Sequence, residues 1–114
     1  MTDCIFCRIA AHETPARILY EDSEVLAFED LNPQAPVHIL VIPRAHCATT
    51  LDLSGADDQT IGRMIRVAAA IATKRRVAAD GFRLVVNTNA DAGQSVYHLH
   101  VHLLAGRSMG WPPG

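Results

Sequence analysis

The sequence contains few aromatic residues and no long apolar run. Phe, Tyr and Trp make up 5% of its 114 residues, and no stretch approaches the roughly 20 apolar residues that cross a bilayer. The N-terminus also lacks the basic start and the apolar run of a secretory signal. We therefore expect a cytoplasmic protein that makes no membrane contact.

A strong excess of charge of one sign is missing as well. The 10 Lys and Arg residues and 12 Asp and Glu residues leave a formal net charge of -2. A protein that follows a nucleic-acid backbone needs a broad basic surface. The one basic cluster here, residues 74–76, is typical of a helix C-terminus instead. No nucleic-acid partner is expected.

Cysteine is scarce, but two of the three cysteines lie close together in the segment Cys4-Ile5-Phe6-Cys7. Three is too few, and an odd number, for a disulfide framework, so reduced thiols are expected. Two cysteines separated by two residues have a common metal-chelating spacing. The alternative is that both are small apolar thiols in the core of a short N-terminal helix. Cys47 is expected to be a buried thiol.

Internal repeats and low-complexity segments are also absent from the chain. At 12.4 kDa with 49% hydrophobic residues, it has the size and the apolar content of one compact domain with a moderate core. We therefore expect residues 1–114 to form a single domain.

The apolar patterns predict five strands and one long helix. Apolar and β-branched runs, bounded by turn residues, predict strands at residues 17–21, 24–29, 37–42, 82–87 and 96–104. A helix is predicted over residues 55–79, with a capping box at Ser54 and Asp57 and an end at Gly81. Its apolar side repeats at three- and four-residue steps and comprises Ile61, Met64, Ile65, Ala68, Ile71 and Ala72. The order of these elements indicates an α+β domain on a mostly antiparallel sheet.

Three histidines alternate with apolar residues at His98, His100 and His102. Because side chains alternate between the two faces of a strand, these three imidazoles share one face. They could be solvent-facing polar residues, or two or three ligands of a catalytic zinc. They could also support nucleophilic catalysis, in which one neutral imidazole attacks while its neighbours orient it and move protons.

The surroundings of the histidines favour nucleophilic catalysis at a phosphate. The preceding loop places Gly93 and Ser95 where backbone N–H groups and a hydroxyl could meet a phosphate. Asn87 is the last residue of another predicted strand and Asp30 directly follows a third, so both add polar groups at strand ends. An apolar slot for a nucleobase could be formed by Phe6, Ile9 and Phe28.

At this point several motifs together resemble one known family. "HLHVHLL" matches the histidine-triad superfamily, and "GQSVYHLHVHLL" with the ending "WPPG" resembles its nucleotide-binding branch; "CIFCRI", "PARILYED", "LAFEDLNPQAPVHILVIPRAH" and "VVNTNADAGQSVYH" extend the similarity. The resemblance implies a five-stranded sheet with one long and one short helix, paired through the long helix and a strand into a homodimer. It also implies binding of purine nucleoside monophosphates and hydrolysis of nucleoside phosphoramidates at the α-phosphorus, with no cofactor in the chemical step.

The resemblance assigns a role to each site residue. His100 would be the nucleophile that forms a nucleotidyl-imidazole, His102 would contact the phosphate and assist proton delivery to the leaving amine, and His38 would orient His100. The nucleotide-binding residues would be Phe6, Ile9 and Phe28 at the base, Asp30 with Leu31 at the ribose, and Asn87, Gly93, Gln94 and Ser95 at the ribose and phosphate. Trp111 would reach the partner subunit's site.

The zinc-binding, mostly bacterial members of this superfamily supply a second expectation. By this resemblance, Cys4, Cys7, His46 and His98 would form a closed structural zinc site. Two other functions stay open alongside phosphoramidate hydrolysis. One is hydrolysis of dinucleoside polyphosphates by the same histidine, and the other is a nucleotide-binding scaffold whose hydrolysis is incidental.

Overall fold

The computed structural model describes residues 3–114. Two helices, α1 (Ile5–Ala10) and α2 (Asp58–Lys74), accompany five strands. The strands are β1 (Ile18–Glu21), β2 (Val25–Glu29), β3 (Val37–Pro43), β4 (Phe82–Val85) and β5 (Val101–Ala105). Short 3₁₀ turns cover Thr50–Asp52, Gly55–Asp57 and Ala90–Ala92. Among the described residues, no helix has both the length and the apolar content needed to cross a membrane.

The five strands form one sheet in the order β1-β2-β3-β5-β4, and every neighbouring pair is antiparallel. The hairpin of β1 and β2 closes at Asp22, whose Oδ1 accepts the N–H groups of Glu24 and Val25 at 2.7 and 2.8 Å. An Asp side chain that bonds the backbone two residues on is a common way to make such a turn. The predicted α+β class and five-stranded antiparallel sheet are confirmed.

The two faces of the sheet carry separate cores because side chains alternate along each strand. Helix α2 covers one face and packs its Met64, Ala68 and Ala72 against β2, β3 and β5. Helix α1 covers part of the other face with Phe6 and Ile9. Strands β2 and β3 are therefore buried on both faces, and this explains why their sequences read as continuous apolar runs.

The predicted helix over residues 55–79 is too long at both ends. The Ser54–Asp57 capping box closes a separate 3₁₀ turn before α2 begins at Asp58. Beyond Lys74 the chain turns through Arg76, which has a φ of 61°, and Val77 N–H donates to Ala72 O at 3.0 Å. This is a Schellman termination, which usually uses glycine at the left-handed position. Because an arginine occupies this position, the sequence has no glycine there to indicate the end of the helix.

One residue assigned to the apolar side of α2 was also placed wrongly. Ile65 is 41% exposed, whereas Val67, which the pattern did not select, is 8% exposed and packs in the core.

Three predicted strands agree with the structure to within one residue at each end, and the other two differ by more. The strand predicted at residues 96–104 starts only at Val101, so His98 and His100 precede β5, and β4 ends at Val85, before Asn87. The register that pairs Val41 with Val101 places Pro43 opposite Leu99. Proline has no N–H to donate to a sheet ladder, and Leu99 N–H bonds Cys47 O at 2.6 Å instead.

Candidate active site and metal centre

A cavity of about 390 Å³ opens between α1 and the sheet. Nine of the predicted site residues line it, namely Phe6, Ile9, Phe28, Asp30, Leu31, His38, Ser95, His100 and His102. The sequence motifs did not predict the other lining residues, which are Ile5, Pro15, Ala16, Glu29, Asn32, Gln34, Leu40 and Val96. Most of these are ordinary apolar or turn residues, and their sequence pattern carries no sign that they share a cavity.

One end of the cavity is apolar and the other carries the histidines. The Phe6 and Phe28 rings meet edge to face, with centroids 5.3 Å apart and an interplanar angle of 74°. Both rings are almost fully buried. Leu31, in contrast, is 96% exposed. The apolar end can accept a flat ring, since aromatic faces and edges pack well against one another.

The buried His100 ring is oriented by its own backbone. Its Nδ1 lies 2.7 Å from the His98 carbonyl oxygen. Because a carbonyl only accepts hydrogen bonds, Nδ1 carries the proton and Nε2 of the neutral ring keeps its lone pair. The ring packs edge to face on Phe6 and on His102, with centroid distances of 5.2 and 4.8 Å. A neutral imidazole held in this tautomer is a nucleophile.

His38 and His102 form a second oriented pair. Gln34 N–H donates to His38 Nδ1 at 2.9 Å, so the proton of neutral His38 is on Nε2. That nitrogen lies 2.9 Å from His102 Nδ1 and 3.4 Å from Asp30 Oδ2. His102 Nδ1 therefore accepts, and its own proton is on Nε2. His102 is therefore a hydrogen-bond donor beside His100.

The same tautomers argue against a metal cage at the histidines. Ligand atoms of Asp30, His38 and His102 lie within 4.8 Å of one another, close enough for a metal ion by distance alone. A metal would need the Nε2 lone pair of His38, which requires its proton on Nδ1. That position already accepts the Gln34 N–H. Asp30, His38 and His102 are consequently arranged to hold and share protons.

Burial keeps both histidines of this pair uncharged. It is the largest cause that lowers the pKa of His102, to about 4, and the neighbouring His100 and His38 lower it further. Burial also lowers the pKa of His38, against an opposing effect of Asp30. At neutral pH both rings are therefore neutral, as the tautomers require.

Stability should therefore fall in mildly acidic solution. In the folded state the pKa of His102 is depressed from 6.5 to about 4, so the unfolded chain binds the proton more readily between those values. We expect the free energy of unfolding to be constant just above pH 6.5 and to decrease by about 2 kcal/mol as the pH falls toward 4.

Urea titrations of the wild type and His102→Gln across this range test the expectation. Glutamine can still accept a hydrogen bond from His38 but does not titrate, so the variant should lose less stability. An equal loss in both proteins would contradict the assignment of the pH effect to His102.

A second cluster lies outside the cavity and has the geometry of a metal centre. Ligand atoms of Cys4, Cys7, His46 and His98 all fall within 4.8 Å of one another. Sulfur-to-Nδ1 distances are 3.3 Å for Cys4–His98, 3.4 Å for Cys7–His46 and 3.5 Å for Cys7–His98. Tetrahedral zinc with ordinary Zn–S and Zn–N bonds requires about 3.6 Å between such atoms. The four residues could hold a zinc ion.

Local structure prepares each ligand of this cluster. Cys4 is the N-cap of α1 and accepts Cys7 N–H on its sulfur at 3.3 Å, so the first turn of the helix brings both sulfurs together. The fully buried His98 lies 2.8 Å, through Nε2, from Pro43 O, which leaves the Nδ1 lone pair facing the sulfurs. Burial lowers the pKa of His98, which favours the neutral ring that a metal binds.

The remaining predicted residues do not line the cavity. Asn87 and Gly93 lie after β4 and do not line the cavity. The Gln94 side chain is buried among backbone groups of its own loop and of Ala48. Trp111 is 84% exposed and is not part of the cavity wall in its own chain. Cys47 is half-buried and donates to Thr49 O at 3.3 Å.

The chain belongs to the HIT domain family, whose model matches residues 11–109. The chain is 50% identical to the purine nucleoside phosphoramidase of Escherichia coli strain K12 over 108 residues, which are 95% of this chain and 91% of the relative.

Solved structures agree with this membership. A HIT family hydrolase from Legionella pneumophila superposes with a TM-score of 0.96 at 46% identity, over 98% of this chain and 100% of that one. A histidine triad protein from Clostridium difficile superposes with a TM-score of 0.92 at 43% identity, over 96% of each chain. The chain is thus a hydrolase of this family, and the prediction that it is an enzyme is confirmed.

Proposed function

We propose that the protein is a nucleotide-binding hydrolase that cleaves purine nucleoside phosphoramidates through a covalent nucleotidyl–His100 intermediate. The observation that carries this proposal is the hydrogen bond from His100 Nδ1 to His98 O at 2.7 Å. It leaves a neutral Nε2 lone pair in a cavity that has an apolar end and a donor, His102. The E. coli relative, which is named a purine nucleoside phosphoramidase, supports the same chemistry.

Two displacements at the α-phosphorus make up the reaction. In the first, His100 Nε2 forms a bond to phosphorus as the bond from phosphorus to the leaving nitrogen breaks. The negative phosphoryl group raises the pKa of His102 when substrate binds, so His102 carries a proton to deliver to the leaving amine. In the second, water attacks phosphorus, the bond to His100 breaks, and His102 takes up the proton that water releases.

His38 allows His102 to change its protonation state. When His102 is protonated, its Nδ1 no longer accepts the His38 Nε2–H, which lies 2.9 Å away. The Asp30 carboxylate, 3.4 Å from the same His38 nitrogen, is then the acceptor. His38 positions His102 directly and His100 through it.

The nucleotide would lie along the cavity from its apolar end to the histidines. A purine fits against Phe6, Ile9 and Phe28, which supply apolar surface and an aromatic edge. Asp30 and Leu31 lie where the ribose would follow, and the Asp30 carboxylate can accept from ribose hydroxyls. Ser95 and His102 would contact the phosphate, with AMP as the simplest product.

We also propose that Cys4, Cys7, His46 and His98 hold a structural Zn²⁺. The ion would cross-link the start of α1 to the segments that carry His46 and His98, and so hold Phe6 and Ile9 against the cavity. A six-residue helix is not stable in isolation, so it depends on such attachments. The chemical step needs no metal, since backbone groups already prepare the nucleophile.

The direct test of the proposed activity compares two substrates on the same protein. We expect kcat/KM for an adenosine 5′-phosphoramidate to exceed that for a diadenosine polyphosphate by roughly 100-fold. The reason is that one small cavity holds one nucleoside and its phosphate. Preference for the polyphosphate would make the protein a dinucleoside polyphosphate hydrolase, and binding of AMP without turnover of either substrate would make it a scaffold.

A homodimer is the third part of the proposal, with β4 edges paired across a two-fold axis. Strand β4 is the last in the sheet order, so its outer edge can pair with a second copy. Val86 and Ile65 are 42% and 41% exposed and would be covered. Trp111, which is 84% exposed, would then reach the partner subunit's cavity.

We expect sedimentation at micromolar concentration to give twice the mass of one chain. Val86→Lys should shift the protein toward the monomer, because it would place charge at the paired edge. A monomeric wild type would contradict the dimer and leave Trp111 with no second cavity to reach.

We propose further that residues 1–114 work as one histidine-triad domain in the cytoplasm, where thiols stay reduced for metal binding.

A further inference from the structure

The backbone at Asn89 adopts a conformation that is normally restricted to glycine. Its φ is 67° and its ψ is -174°. Asn tolerates positive φ in the left-handed helical region, where ψ is about 47°. A ψ near 180° lies outside that region and persists only where the surroundings impose it. Asn89 is exposed, so its own side-chain packing does not supply the restraint.

The Gln94 side chain is hydrogen-bonded to this backbone. The residue is 6% exposed, and its side-chain Oε1 accepts Asn89 N–H at 2.8 Å. Its Nε2 donates to Ala48 O at 2.8 Å and to Val96 O at 3.2 Å. Both amide hydrogens are therefore used within the protein. A side chain engaged in this way has no donor left for a phosphate.

The backbone between Asn89 and Gln94 is closed on itself. Gln94 N–H donates to Asn89 O at 3.2 Å, and Gly93 N–H donates to Ala90 O at 3.0 Å. These donors are likewise committed within the loop. Ser95, which lines the cavity, is the residue that this closed loop presents toward the histidines.

We propose that Gln94 is a positioning residue, which holds the 89–95 loop in its strained form so that Ser95 faces the substrate phosphate. It acts through Asn89 and Ala48 and makes no contact with the nucleotide itself. This inference rests on the proposed function. It assigns to Gln94 an indirect role, in place of the direct phosphate contact that the family resemblance implies.

The test measures affinity for AMP and for adenosine by calorimetry. Gln94→Met keeps the volume of the side chain but removes its hydrogen bonds. We expect it to weaken AMP binding about 10-fold and to change adenosine binding by less than about 2-fold, because the base and ribose contacts lie elsewhere. Asn89→Gly in the Gln94→Met background should restore AMP binding, since glycine adopts the backbone conformation without strain.

A second variant tests the strain without touching the buried glutamine. Asn89→Val should fold, because residue 89 is exposed, but a β-branched residue opposes positive φ. It should weaken AMP binding and spare adenosine, whereas Asn89→Gly alone should bind both ligands as the wild type does. Equal losses for AMP and adenosine in the two impaired variants, or no rescue by glycine, would show a general structural role and overturn the inference.

The wild type separates this inference from the proposed function. Equal affinity of the wild type for AMP and adenosine would mean that the cavity has no phosphate site, and the proposed function would fail together with the inference. A wild-type preference for AMP that persists in Gln94→Met and in Asn89→Val would overturn the inference alone.

Discussion

His100→Ala is expected to lose turnover of an adenosine phosphoramidate by roughly 10,000-fold or more and to keep its affinity for AMP within about 3-fold. The substitution removes the proposed nucleophile, His100 Nε2. It leaves the Phe28 ring, the Asp30 carboxylate and the Ser95 loop in place, so most of the contacts to a nucleotide remain. Steady-state kinetics and calorimetry measure the two effects separately.

The covalent intermediate provides a stricter check. Wild-type protein quenched during turnover of a substrate labelled at the α-phosphate should retain label on His100, and His100→Ala should retain none. His102→Ala is the matched comparison, since it removes a neighbouring imidazole and leaves the nucleophile. It should turn over slowly and still be labelled. Full activity in His100→Ala would rule out the mechanism.

Removal of a thiol ligand is expected to have the largest effect on stability. Cys4→Ser should abolish the bound zinc and lower the melting temperature by roughly 10 °C, because the start of α1 loses its attachment to His46 and His98. Phe6 and Ile9 line the cavity from this helix, so KM should rise more than kcat falls. Elemental analysis should find about one zinc per wild-type chain and none in the variant.

The third cysteine offers a matched control. Cys47→Ser should keep the zinc and the stability, since serine can also donate to Thr49 O, as the thiol does at 3.3 Å. His100→Ala should keep the zinc as well. Loss of the zinc on substitution of His100 or His102 would instead indicate a metal cage at the histidines. Protein purified without chelator and found free of zinc would mean that Cys4 and Cys7 are core thiols.

The local sequence pattern was sufficient to predict whether each main element is a helix or a strand. Alternation in the sequence predicts that His98, His100 and His102 share one face, and all three are on the α1 side of the sheet: Phe6 packs on His98 and His100, and His102 packs on His100. Steps of three and four residues likewise predict the buried side of α2 at Met64 and Ala68. Side-chain direction follows from backbone geometry alone, so neighbours along the chain decide it.

The limits of the elements depended on backbone interactions that the apolar periodicity does not report. Strand β5 begins late because Pro43, which lies 56 residues before Leu99 in the numbering, offers it no N–H in the sheet. Helix α2 ends at Lys74 because Arg76, two residues later, adopts the left-handed conformation, which the bond from Val77 N–H to Ala72 O supports. Neither cause is visible in the periodicity of the segment itself.

The sequence by itself determined which residue types are available for chemistry and on which face of the sheet the three histidines lie. The tertiary structure decided which nitrogen of each histidine carries the proton, and this determines whether a neutral imidazole can act as a nucleophile, a donor or a metal ligand. His98 O sets that nitrogen in His100, Gln34 N–H sets it in His38 and through it in His102, and Pro43 O sets it in His98. The partners of His100, His38 and His98 are backbone groups, whose positions depend on the folded chain and cannot be read from the order of side chains.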